Sequence, residues 1–334
     1  MKAISFLLFS QVLFRFCSYT SDEPPFIADT PIVSVVDEVN LRHLGQPAIL
    51  MTLLIRESDI SDRQVQVRVT FPANRPTGAL ILTTGGFGSS FYGTSREKNK
   101  TLTEALALGL ETYEVRWMGA LGWGTGTEGL GYPGATKAFT DVVRFLTNQK
   151  MANDDILIAH GGSGGAFQIA YGLSRYGLDE VLTHGILVAG PPTTDLARAI
   201  FGGMDDPLLW DPQVAGFAVT DYIHGWRGNG DYCVNHGQRP PSRVIQTLEE
   251  SSILPRREQV KLDYGAILHF VNTDDETNAD SQGRRYYNAI MSSKTWHYLA
   301  NEVSHDVAGI PEGAAKIREI LEDIVRGSSY RRLN

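Results

Sequence analysis

Cysteine is nearly missing from this 334-residue chain: Cys17 and Cys233 are the two it has. Cys17 lies in the opening stretch "MKAISFLLFSQVLFRFCSYTSDEPP", where Lys2 precedes an apolar run from Ala3 to Phe14. That run is too short to span a bilayer comfortably and predicts an export signal over residues 1–21, the rival reading being an uncleaved amphipathic N-terminus. If the signal is removed, Cys233 stands alone, which excludes an intramolecular disulfide and a cysteine zinc site. A cluster of Lys and Arg is also lacking, and the formal net charge is -8. The electrostatic footprint for nucleic acid or an anionic membrane is therefore absent, and no stable membrane insertion is expected after signal removal. Ligand-spaced His/Cys/Asp clusters and a P-loop are missing too, which disfavours metal and nucleotide enzymes. The compartment implied is secreted or periplasmic.

What is present is apolar material for a full core, at 42% hydrophobic residues, and a length that suits one domain over residues 22–334. After a polar lead to about Pro47, the runs "AILMTLLI" (48–55) and "VQVRVTF" (65–71) read as an antiparallel start to a sheet, with Val65, Val67, Val69 and Phe71 inward. "GALILTTGGFGSS" (78–90) is a strand buried on both faces that ends in glycines. Helical "LTEALALG" (102–109), extended "ETYEVRW" (111–117) and helical "ATKAFTDVVRFLTNQ" (135–149) follow. Strands at 184–190, 265–271 and 294–300 alternate with helices near 281–291 and along Ile317, Ile320, Leu321 and Ile324. Such alternation predicts an α/β fold with a mostly parallel sheet and helices on both faces. Residues 191–257 break the rhythm. Trp210, Phe217, Tyr222, Trp226 and Tyr232 are scattered there among Gly, Pro and Asp and predict a lid, with Trp210, Phe217, Tyr222 and Trp226 expected to bind substrate; a helical insertion thickening one edge is the alternative.

Between the strand "DILIAH" and an amphipathic helix stands Gly161-Gly162-Ser163-Gly164-Gly165, which satisfies G-x-S-x-G. A sharp strand-to-helix turn forces its central serine into strained angles, and side chains on the flanking residues would collide with strand and helix. Ser163 is thus a candidate nucleophile at a helix N-terminus, where amide donors favour developing negative charge. Acyl transfer also needs two preorganised N–H donors. Gly164, just after the serine, and Phe87, in the "TTGGFGSS" turn after an earlier strand, are placed to be that oxyanion hole. A base must follow. His269 and His297 lie inside strand runs and are expected as buried wall residues, whereas His305 lies in a loop after the last strand. The acid that orients it is sought in "HFVNTDDETN": Asp275 is the choice and Asp274 the alternate, with Asp195 a weaker third option.

These residues resemble the α/β-hydrolase superfamily from about Ala48 to Val325, in particular secreted or periplasmic hydrolases with a G-x-S-G-G elbow, an "AYGL" helix and a "GPP" strand end. The resemblance implies an eight-stranded sheet, a lid after the sixth strand, no cofactor, and hydrolysis of a small-molecule ester with an apolar acyl or aryl part. It assigns Ser163 as nucleophile, Asp275 as acid and His305 as base. Gly85 departs from the family's histidine of an H-G pair, and Asn272 from its glycine before the acid. "GWGTGTEGLGYPGA" (122–135) is expected to border the site mouth or to be a surface loop. A serine peptidase or amidase shares every catalytic part, and a non-catalytic binding protein on the same scaffold is the rival from another class.

Overall fold

Alternation of Val65, Val67 and Val69 with polar residues gives a strand one face of which is fully buried, and it forms one member of a sheet that organises the described residues. The structure, a computed structural model, describes residues 32–56, 63–85, 88–118, 131–149, 156–191, 252–254, 262–273, 280–299 and 304–331. Its strands are β1 (Ile32–His43), β2 (Gln46–Arg56), β3 (Arg63–Thr70), β4 (Gly78–Thr83), β5 (Leu110–Trp117), β6 (Leu157–Gly162), β7 (His184–Val188), β8 (Ile267–Thr273) and β9 (Lys294–Leu299). They form a single sheet in the order β1-β2-β3-β5-β4-β6-β7-β8-β9. The pairings from β1 through β3 to β5 are antiparallel, and every pairing from β5 across to β9 is parallel.

The fold is the expected α/β class with a mostly parallel sheet, but the described residues hold nine strands where eight were expected. The additional strand is β1, inside the polar lead that runs to about Pro47. It is an edge strand, paired only with β2, and Asp37 to Asn40 are exposed. With neither face buried it carries no alternation to read, and a register shift between Val35 and Asp37 breaks what pattern there is.

Five helices are described: α1 (Arg96–Ala107), α2 (Gly131–Gln149), α3 (Gly164–Arg175), α4 (Asp280–Ala289) and α5 (Pro311–Arg331). Phe139, Val142, Val143 and Leu146 of α2, and Phe167, Ile169, Ala170 and Leu173 of α3, pack against one face of the sheet with Tyr286 of α4. Leu102 and Ala105 of α1, and the stripe Ile317, Ile320, Leu321 and Ile324 of α5, cover the other. At roughly 1.5–3 kcal/mol per fully buried large apolar side chain, these two layers hold the parallel strands, and with them the strand ends, in place. Helix α2 starts at Gly131, so the last residues of the glycine-rich 122–135 stretch are helical rather than loop. The 191–257 insertion falls between β7 and β8, and all but Pro191 and 252–254 lies outside the described residues. Within that small part Ile253 is buried against the core; its carbonyl accepts from Ser174 Oγ at 3.0 Å, and the Ser252 carbonyl accepts from Arg175 at 2.8 Å.

Candidate active site

Strand β6 stops at Gly162 and α3 starts at Gly164, leaving Ser163 alone to make the turn. Its φ is 51° and ψ -115°, a left-handed conformation that costs a side-chain-bearing residue on the order of 1–3 kcal/mol. Two hydrogen bonds hold it there. Its N–H donates to the Val188 carbonyl of β7 at 2.8 Å, and its carbonyl accepts the first helical bond from the Phe167 N–H at 3.0 Å.

The glycines around it divide into two kinds. A Cβ on Gly161 would lie 2.5 Å from the backbone carbon of Gly165, and one on Gly165 would lie 2.9 Å from the Thr83 carbonyl oxygen. Both are steric conditions for the turn. At Gly162 the expectation of a collision fails, because the nearest atom to an added Cβ is the Val188 oxygen at 3.8 Å. The turn after β4 comes close as well: a Cβ on Gly85 would sit 3.3 Å from Ser163 Cβ.

Ser163 occupies the N-cap position of α3 but makes no side-chain cap. Its Oγ meets His305 Nε2 at 2.8 Å instead. His305 stands between β9 and α5, in a loop tied to the end of β8 by Thr273 Oγ1, which donates to the Ser304 carbonyl at 2.8 Å. Immediately after it, Asp306 forms an ion pair with Lys98 of α1 at 2.8 Å. Gly164 is the first residue of α3, so its N–H has no partner within the helix and points from the helix N-terminus.

Beneath the elbow, His160 of β6 is fully buried. Its Nε2 lies 3.1 Å from the Tyr92 hydroxyl and its Nδ1 3.4 Å from the Ile186 carbonyl. Burial depresses the His160 pKa to about 4 and raises that of Tyr92, so both are neutral at ordinary pH. Tyr92 belongs to the segment that follows the "TTGGFGSS" turn, and the same segment is anchored by Glu114 of β5. That fully buried carboxylate takes a bidentate pair from Arg68 at 2.7 and 2.9 Å and the Gly93 N–H at 2.8 Å. The turn itself is pinned to the sheet by the Trp117 N–H, which donates to the Gly88 carbonyl at 2.9 Å.

Of the site residues expected from the sequence, Ser163, Gly164 and His305 are thus together at the C-terminal edge of the parallel strands. Phe87, Asp195, Asp274, Asp275 and the aromatics Trp210, Phe217, Tyr222, Trp226 and Tyr232 lie outside the described residues. His269 and His297 stand on β8 and β9 as expected, yet both are half-buried rather than buried, because β9 is the edge of the sheet. They stack in a row with His184 of β7, with ring centroids 6.0 and 6.3 Å apart. Such face-to-face spacing does not converge on one point, and no group of His, Cys, Asp and Glu suited to a metal occurs among the described residues. Sequence reading missed Thr273, Asp306, Lys98 and the His160–Tyr92 pair. Thr273 and Asp306 adjoin expected site residues in the chain, which is a usable signal; Lys98 and Tyr92 have none, since their neighbours come from far in sequence.

No family model matches the chain, and neither does any curated protein. Solved structures do. An acetyl xylan esterase from Paenibacillus sp. R4 superposes with a TM-score of 0.57 at 15% identity, covering 87% of this chain and 88% of that one. Acetyl xylan esterase 1 from Thermoanaerobacterium sp. JW/SL YS485 gives 0.55 at 14% identity over 87% and 88% of the two chains. Candida antarctica lipase A in its closed state gives 0.54 at 12% identity over 88% and 82%. These superpositions run over most of the chain, which is built on a mostly parallel sheet with an antiparallel start: the chain has the α/β-hydrolase fold.

Proposed function

We propose that this chain is a serine hydrolase of carboxylic esters that works through an acyl-enzyme. The observation that carries the reading is the 2.8 Å contact between His305 Nε2 and the hydroxyl of a serine held at positive φ with no capping duty. A serine hydroxyl is a weak nucleophile until a base accepts its proton, and an imidazole at hydrogen-bond distance is that base. In the first half-reaction Ser163 Oγ–H gives its proton to neutral His305 Nε2 as the oxygen attacks the ester carbonyl. Asp275, with Asp274 as alternate, accepts the Nδ1–H and balances the imidazolium. The oxyanion takes the N–H groups of Gly164 and Phe87. His305 then protonates the departing alkoxide, and in the second half it takes a proton from the water that attacks the acyl-enzyme, returning it to Ser163.

Two acetyl xylan esterases and a lipase among the structural relatives favour an ester over an amide. Trp210, Phe217, Tyr222 and Trp226 supply an apolar wall for the acyl or aryl part, and the opening 21 residues direct the chain to a secreted or periplasmic location. Hydrolysis of p-nitrophenyl esters of increasing acyl length, alongside matched anilides, tests the reading. Turnover that disappears in Ser163→Ala and favours the ester supports it; preference for the anilide makes the protein an amidase, and no turnover of either kind sinks it.

A further inference from the structure

Lys98, in the first turn of α1, stands between the two halves of the serine–histidine pair and meets a neighbour of each. On one side its ammonium pairs with Asp306, the residue after His305, at 2.8 Å to Oδ1 and 3.0 Å to Oδ2. On the other it lies 5.9 Å above the ring of Tyr92, whose hydroxyl meets His160 on the nucleophile strand three residues before Ser163. A closed circuit results: Ser163, His160 through β6, Tyr92, Lys98, Asp306, His305 and back to Ser163. Asp306 heads the 3₁₀ turn Val307–Gly309 but makes no side-chain cap there, which leaves its carboxylate to the lysine. Although Asp306 is largely exposed, Lys98 is only 13% exposed, so the pair is less screened than an ordinary surface bridge.

We propose that Lys98 is a positioning residue for the Ser163–His305 couple: it holds the base loop against the nucleophile strand and balances the anion beside the imidazole. The inference rests on the functional reading above. The other charges where α1 meets α5 satisfy one another, since Arg318 pairs with Glu104 at 2.9 Å and approaches Glu97 at 3.9 Å. Tyr92 and His160 are neutral, and the carboxylates of Asp274 and Asp275 follow Thr273, whose hydroxyl is bonded to the histidine loop. Among the described residues, Lys98 and Asp306 therefore form the ion pair that adjoins His305 in the chain, and removing either leaves the other without that partner.

Opposite changes should act in opposite directions. Lys98→Met leaves an unbalanced anion that favours the imidazolium, so the acid limb of kcat/KM moves to higher pH, and kcat falls about tenfold from lost alignment with KM little changed. Asp306→Asn leaves an unbalanced cation and moves the acid limb to lower pH. Lys98→Arg, which keeps the pair, restores the wild-type profile. A role limited to stabilising the fold moves neither limb. The ring protons of His305, followed by NMR in the same three variants, report these movements in protein that hydrolyses nothing. Failure of every ester assay thus overturns the functional reading alone. Titrations that stay put, or move the same way in both charge variants, overturn this inference.

Discussion

Among the described residues, two serines stand at helix N-caps and do opposite things. Ser95 precedes α1 with extended backbone, φ -130° and ψ 166°, and its Oγ accepts the Lys98 N–H at 3.3 Å. Ser163 precedes α3 at φ 51° and ψ -115°, makes no cap, and gives its hydroxyl to a histidine 142 residues away in sequence. The backbone angle decides the difference. An extended N-cap folds its side chain back over the first turn, where it satisfies an orphan amide; a left-handed one turns the side chain outward, away from its own helix, and leaves those amides open for a ligand's charge. The same residue type therefore serves stability in one place and, by our reading, chemistry in the other.

The sharpest way to break this contrast is to remove both hydroxyls separately. Ser163→Ala should lower ester turnover by at least about 10⁴-fold without unfolding the protein, whereas Ser95→Ala should leave turnover intact. Urea unfolding supplies the mirror image. Replacing Ser163 with Gly relieves the positive φ and should stabilise by about 1 kcal/mol, while Ser95→Ala removes a cap and should cost about 1 kcal/mol. If Ser163→Gly is the less stable protein, the strain assigned to the elbow is not there.

The elbow's glycines extend the comparison. Gly161→Ala and Gly165→Ala press a Cβ into backbone at 2.5 and 2.9 Å and should each destabilise by about 2 kcal/mol or more, because the obstructing atoms belong to strand and helix. Gly162→Ala, with open space to 3.8 Å, should change stability by less than about 1 kcal/mol. Equal losses at all three would mean that composition, not collision, explains the motif.

Acid provides a further test. Burial holds His160 at about 4, below its ordinary value of 6.5, so between those two pH values the unfolded chain binds a proton that the folded one refuses. Stability is then complete above pH 6.5 and falls as the pH is lowered toward 4, by on the order of 3 kcal/mol from this one group. His269, depressed to about 4 by burial and by its neighbours His184 and His297, adds to the loss in the same window. His160→Gln should flatten the slope; an unchanged slope would assign the acid sensitivity to the histidine row at the β9 edge.

How much of this was legible before the fold was known follows the same physics. The elbow was readable because its constraint is local: Gly161 and Gly165 are forced by atoms within four residues of Ser163 or in the adjacent strand β4. The parallel strands were readable because burial on both faces leaves unbroken apolar runs, as in "GALILT" of β4. His305 followed from chain order alone. By contrast, β1 has no buried face and a register shift, so its residues carry no period. The lysine that pairs with Asp306 is 208 residues away from it, and no local pattern encodes that meeting. Nor does any encode the approach of Tyr92 to His160, which β4, β6 and α1 bring about together.

The central claim, that Ser163 is an activated nucleophile, is most directly tested by treating the protein with a fluorophosphonate and weighing it intact. The account predicts a single adduct that maps to Ser163 and is absent in both Ser163→Ala and His305→Ala. A folded wild-type protein that stays unlabelled, or one labelled elsewhere, would contradict it and leave a hydrolase scaffold whose serine turn serves binding.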